Sequence, residues 1–318
     1  MSIPIWRASA RLHPDEVSLT LPHITLAGCY WRGKSGPELS VAALGQECAQ
    51  TNMKGEVLLI ALHGWLDNAH SFYPLAQYLD DYPILAIDWP GHGLSQHRSL
   101  GYPLHFFDYL YDLAKVIEHC RHQFTHIVVM GHSLGAMIAS TYGAAQTDTL
   151  DAAILLEGLL PMAESSQHAK ARLQQSLSAH QSVTKPIGYQ SIESMAAARS
   201  KLTGLSSKWS HLLVTRNAVE CAGKFYWRTD PRLKRDSPWR MTIEQREQIL
   251  ANTELPMLLV QAEQGYHQLN AQLAEAKRWF PLLESSCLPG CHHFHMSAAE
   301  LVAQKISDFI RQHFETPH

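Results

Sequence analysis

HIVVMGHSLGAMIASTYGAA, from His126 to Ala145, is the stretch on which the fold turns. An apolar, β-branched run, His126 to Met130, meets Gly131-His132-Ser133-Leu134-Gly135, and small residues carry on from Ala136 to Ala145 as a helix. This is the context of a G-x-S-x-G elbow, in which a serine sits on a strained strand-to-helix turn and glycines flank it where a Cβ would clash. The Ser133 hydroxyl should then project above the carboxyl edge of a sheet, as a nucleophile must. The N–H of Leu134, in the first helical turn, points toward charge developing on an attacked carbonyl oxygen, and the helix dipole adds to the effect.

Outward from the elbow, short apolar runs alternate with amphipathic segments of helical length, the pattern of a parallel sheet with crossover helices. The runs are Val57 to Leu62, Pro83 to Ile87, His126 to Met130, Ala152 to Leu156, Met257 to Gln261 and, more weakly, Glu284 to Leu288. Helices are expected over Phe72 to Leu79, Phe106 to Cys120, Leu134 to Ala145, Gln268 to Phe280 and Ala298 to Phe314. Val17 to Trp31 alternates apolar and polar residues around Pro22 and Gly28, which suggests a hairpin at the sheet edge. The polar stretch Gly33 to Gly55 reads as a surface loop with one helical turn near Val41 to Cys48.

Residues 161–241 interrupt the alternation with Gln-, Ser- and Ala-rich stretches and no buried strand. They read as a helical cap inserted into a core made of residues 1–160 and 242–318. The cap carries half of the chain's 26 Lys and Arg, including Arg228, Arg232, Lys234, Arg235 and Arg240, most simply a solvated face rather than an anion site. Its aromatics Trp209, Phe225, Tyr226, Trp227 and Trp239 either roof an apolar cleft or form a small core of their own.

A chain of 318 residues, 46% hydrophobic, holds one sizeable core plus such an insertion. A net charge of −3 provides no field that would favour nucleic acid or an anionic membrane. The six scattered cysteines, Cys29, Cys48, Cys120, Cys221, Cys287 and Cys291, form no C-x-x-C pair and read as reduced thiols of a cytoplasmic protein. Met1 to Glu16 lacks the apolar core of a secretory signal, and no stretch approaches the length of a membrane span. No Gly-rich phosphate loop or dinucleotide fingerprint appears, so no cofactor is expected. The oligomeric state is not legible.

The segments Leu62-His63-Gly64-Trp65-Leu66-Asp67-Asn68, Ile87-Asp88-Trp89-Pro90-Gly91-His92-Gly93-Leu94-Ser95 and Gly131 to Gly135 resemble the α/β-hydrolase superfamily, most nearly its serine-hydrolase-like branch, with the haloalkane dehalogenases as more distant relatives. The resemblance runs from Val17 to His313 and is specific for the superfamily, not for a substrate. It implies an α/β-hydrolase fold with helices on both faces of a mostly parallel sheet. It also implies that the backbone N–H of Trp65 joins that of Leu134 as an oxyanion donor, that His63 is structural, and that the turn after Asp88 is structural.

By the same resemblance the general base stands three residues before a second histidine in a late loop. Leu288-Pro289-Gly290-Cys291-His292-His293-Phe294-His295-Met296 then places the base at His292 with His295 behind it, and His293 as the other candidate. A metal site made of these histidines is disfavoured, because only His293 and His295 share a side of an extended segment and no carboxylate is near in sequence. The family's usual acid, an Asp after the strand Met257 to Gln261, is replaced here by Gly265. Glu157, after Ala152 to Leu156, resembles the position from which some haloalkane dehalogenases supply theirs; Glu263 is the alternative. A carboxylate at either place would hold the imidazole tautomer.

The expected chemistry is therefore hydrolysis of an ester or similar acyl bond of a small molecule with an apolar moiety, through Ser133, His292 and Glu157. Ser133 argues against dehalogenase or epoxide-hydrolase chemistry, which needs an attacking Asp. Carbon–carbon bond hydrolysis, thioester hydrolysis and a non-catalytic binding role on the same scaffold remain open.

Overall fold

The computed structural model describes residues 13–34, 36–39, 57–101, 103–180 and 186–315. The helical turn expected near Val41 to Cys48 lies outside them. The strands, in chain order, are β1 Asp15–Thr20, β2 Thr25–Trp31, β3 Val57–Leu62, β4 Ile84–Ile87, β5 His126–His132, β6 Ala152–Leu156, β7 Ala163–Glu164, β8 Ala218–Cys221, β9 Lys224–Trp227, β10 Met241–Thr242, β11 Met257–Gln264 and β12 Leu283–Cys291. Eight of them make one sheet in the order β1-β2-β4-β3-β5-β6-β11-β12. The hairpin β1–β2 is antiparallel and pairs antiparallel with β4, and every other pairing in this sheet is parallel.

Val57 to Leu62 is buried at every position because both faces of the sheet are covered. Its side chains divide by parity: Leu58, Ile60 and Leu62 enter the apolar layer that holds Leu113, Val116 and Ile138, whereas Val57, Leu59 and Ala61 enter the layer that holds Leu75, Val302 and Phe309. Helices Phe106–Arg121 and Leu134–Ala145 therefore pack on one face, and Ala299–Phe314 on the other. The segment expected as a helix over Phe72 to Leu79 is shorter, a 3-10 turn Ala69–Phe72 followed by Tyr73–Ala76. The helix from Gln268 likewise ends early, at Ala276.

Between β6 and β11 the chain leaves the sheet. The short strands β7 and β10 pair in parallel and close the neck of the insertion. Above it stand helices Ala169–His180, Ile192–Thr203 and Ser207–Asn217, and the hairpin β8–β9, whose strands are exposed or half-buried. Arg216, buried on the last of these helices, reaches down to Asp88 and Glu16 of the core.

The basic run does not form a purely solvated face. Arg232 is buried, bound to Asp230 and to the carbonyl oxygens of Arg98 and Ser99, and Arg228 donates to the carbonyl of Gly93. These guanidiniums tie the insertion to the loop after β4. The aromatics mostly pack within the insertion: Phe225 and Trp227 lie against Met195, Ala196 and Val214, Trp209 lies against Leu205 and Leu213, and Trp239 is exposed. No helix among the described residues is long and apolar enough to cross a membrane.

Candidate active site

The sheet order reverses at β3, which lies between β4 and β5, and in such sheets ligands bind beyond the carboxyl ends of the strands near that reversal. Gly64 and Trp65 follow β3, Ser133 follows β5, Glu157 follows β6, Gly265 follows β11 and His292 follows β12. Residues far apart in sequence thus meet along one edge.

Ser133 has φ 52° and ψ −110°, the strained turn that the motif requires. The flanking glycines are needed for packing: a Cβ on Gly131 would stand 2.2 Å from the carbonyl carbon of Gly135, and one on Gly135 would stand 2.0 Å from the carbonyl oxygen of Leu62. Helix Leu134–Ala145 can approach the sheet only without them. Ser133 is half-buried, opening into a cleft of about 770 Å³ that is also lined by Gly64, Trp65, Tyr266 and His292.

Glu157 also stands at positive φ, 52°. Its carboxylate is buried, accepting N–H bonds from Ala262 at 2.7 Å and Tyr266 at 3.0 Å, and its Oε2 lies 3.3 Å from Nδ1 of His292. A carboxylate only accepts, so Nδ1 carries the proton and Nε2 of His292 presents its lone pair. Glu263 is exposed on β11 and does not approach His292, so of the two candidate acids the structure brings only Glu157 to the imidazole. The ring of Tyr266 packs edge-on against His292 at 4.3 Å.

The other histidines are placed differently. His293 is buried, with Nε2 3.2 Å from Asp67 Oδ2. His295 is fully buried against His132 and Phe72. His132, inside the elbow motif, packs against His292, and burial holds its imidazole well below the usual basicity, with the neighbouring histidines adding to the effect. Burial works against the charge of Asp67, but His293 and Arg199 outweigh it and hold the carboxyl well below the ordinary range. His63 is buried, donating from Nδ1 to the Gly64 carbonyl and accepting from the Trp89 N–H at Nε2. Asp88 is buried too, accepting from the N–H groups of Ala69 and Leu94 and from Arg216, and does not line the cleft.

Sequence reasoning did not single out Asp67, His132, Arg199 or Tyr266 as site residues, although the first two lie within motifs it quoted. Neither segment has a local signal for which of its side chains faces the edge.

A family model described as alpha/beta hydrolase fold matches residues 57–299. The chain belongs to the α/β-hydrolase family. This hydrolase is similar to a serine hydrolase-like protein of Danio rerio, 27% identical over 270 residues that cover 80% of this chain and 81% of the relative. It is also similar to serine hydrolase-like protein 2 of Homo sapiens, 26% identical over 320 residues, 93% of this chain and 94% of the relative. A solved structure of a hypothetical protein from Pseudomonas aeruginosa PAO1 matches the hydrolase with a TM-score of 0.80 at 31% identity, covering 93% of this chain and 99% of that one.

Proposed function

We propose that the protein is a serine hydrolase that cleaves an ester or similar acyl bond through an acyl-enzyme. The observation that carries this is the contact between Glu157 Oε2 and His292 Nδ1, 135 residues apart in sequence, beside a serine held at positive φ. In this reading Ser133 Oγ attacks the carbonyl carbon while His292 Nε2 takes its proton. The imidazolium, stabilised by Glu157, returns the proton to the leaving alkoxide as the acyl–oxygen bond breaks. Water, deprotonated by the same imidazole, then attacks the acyl-serine and releases the acid. The N–H groups of Leu134 and Trp65 receive the tetrahedral oxyanion, and one such donor is worth about 3 kcal/mol of barrier. Leu134 suits the role because N–H groups of a first helical turn have no acceptor within the helix.

The apolar side chains of Trp65, Leu66, Leu202 and Trp227 around the cleft suit a hydrophobic acyl or alcohol group. A fluorophosphonate probe tests the chemistry: labelling is expected in the native protein and none in Ser133→Ala. Absence of labelling in both would favour a binding protein on the same scaffold. A panel of p-nitrophenyl esters of graded chain length, run beside acyl thioesters, then assigns the bond class.

A further inference from the structure

Asp67, His132 and His293, from three separate stretches of chain, bring one carboxylate oxygen and two ring nitrogens within 4.8 Å of one another. We propose that they form a binding site for a divalent transition-metal ion of the zinc class.

The orientation of His132 is the first argument. Its Nε2 lies 2.8 Å from the carbonyl oxygen of His292, which can only accept, so that nitrogen carries the hydrogen and Nδ1 presents a lone pair. Nδ1 is buried and, among the described residues, has no hydrogen-bond partner. It faces Asp67 Oδ2 at 3.7 Å, too far for a hydrogen bond. A lone pair opposed to an anionic oxygen is repulsive, and a cation between them turns both into ligands. A metal-binding imidazole characteristically donates its other N–H to a backbone carbonyl, which is the arrangement of His132.

The carboxylate is oriented for the same purpose. Asp67 Oδ1 is bound by Arg199, itself anchored on the carbonyl of Leu66, which leaves Oδ2 turned to the two imidazoles. His293 Nε2 stands 3.2 Å from Oδ2 and donates to it; a metal ion takes the place of that hydrogen, which leaves for Nδ1 or solvent as the ring becomes a ligand. At metal–ligand distances of about 2.0–2.2 Å, tetrahedral ligand atoms lie roughly 3.3 Å apart, near the 3.7 Å and 3.2 Å that separate Asp67 Oδ2 from His132 Nδ1 and His293 Nε2. Two imidazoles and one carboxylate favour zinc and its neighbours, whereas magnesium and calcium prefer oxygen alone. All three residues line the cleft, so an ion can enter from solvent and keep its fourth position toward the cavity. Because His132 precedes Ser133 and His293 follows His292, such an ion clamps the elbow to the loop that carries the imidazole.

The test uses protein stripped with a chelator and desalted, in native and Ser133→Ala forms, so that it stands apart from the hydrolase reading. Titration with zinc chloride by calorimetry should give one saturable site in both forms, with a raised Tm. Asp67→Asn and His293→Gln, each checked for native circular dichroism, should weaken binding by at least about tenfold. Cobalt(II) bound to the native protein should show visible d–d bands without a thiolate charge-transfer band, separating this site from the exposed Cys221, Cys287 and Cys291. No saturable binding, undiminished binding in both folded variants, or a thiolate band would overturn the assignment.

Discussion

A Cβ on Gly265 would stand 2.2 Å from Oε2 of Glu157, so the carboxylate of Glu157 occupies the space that a side chain at 265 would need. The position where relatives are expected to carry their acid and the residue reaching it from β6 exclude each other sterically; one carboxylate fits. Glu157→Gln should lower kcat by about 10⁴-fold, whereas Glu263→Gln, on an exposed strand end, should leave it nearly unchanged. Gly265→Asp alone should lower Tm. Combined with Glu157→Gly, which suits the positive φ there, it should regain part of the lost turnover. Steady-state kinetics with a p-nitrophenyl ester measures the turnovers and thermal unfolding the Tm of Gly265→Asp, and a larger loss of kcat in Glu263→Gln would move the acid to that residue.

His292 and His293 are adjacent in sequence but serve different partners, Glu157 and Asp67. His292→Ala should therefore abolish turnover with little change in Tm, since its ring is partly exposed at the cleft. His293→Ala leaves a buried carboxylate short of one partner and should cost about 1–3 kcal/mol of stability while much of the turnover remains. Thermal unfolding and kinetics on the two variants check the division, and equal loss of activity in both would contradict it.

Acid should destabilise the fold through its buried imidazoles, His63 and His92 among them. Burial lowers His63 to about 4 and His92 to about 3 from the ordinary 6.5, and in each ring Nε2 accepts a backbone N–H, from Trp89 and from Leu66. Below pH 6.5 the unfolded chain takes up protons that the folded rings refuse, so stability is full above that pH and falls as pH drops toward 4 and 3. Each ring contributes about 1.4 kcal/mol per pH unit within its window. Tm measured from pH 8 downward should be flat and then decline, and a Tm that rose between pH 6.5 and 5 would contradict this.

The sheet was legible because burial on both faces of Val57 to Leu62 and Ala152 to Leu156 leaves no polar alternation to blur the runs. Ser133 was legible because its constraint is local: glycines on either side and a strand before it. His292 and Glu157 could be named only through resemblance, since their contact depends on strand order rather than on spacing. The Asp67, His132 and His293 cluster was hidden for the same reason, its carboxylate and imidazoles coming from the ends of β3, β5 and β12. The hairpin β8–β9 escaped notice because its strands are not buried and carry no apolar period.

Asp88 tests whether the insertion is docked by charge. Its carboxylate accepts from the Ala69 and Leu94 N–H groups, each at 2.8 Å, and from Arg216 Nε at 2.9 Å, while Arg216 Nη1 holds Glu16. Both Asp88 and Arg216 are buried: removing Arg216 strands the Asp88 charge, whereas removing Asp88 leaves the guanidinium with Glu16 alone. Asp88→Asn should cost about 1–3 kcal/mol, seen as a Tm lower by several degrees. The folded fraction, counted by fluorophosphonate labelling, should keep its kcat, because Asp88 does not line the cleft. Were Asp88 instead the group that supports the imidazole, the variant would lose turnover by orders of magnitude with its Tm intact. Arg216→Gln should reproduce the stability loss from the other side of the contact, since it leaves the Asp88 charge buried with only the two backbone donors.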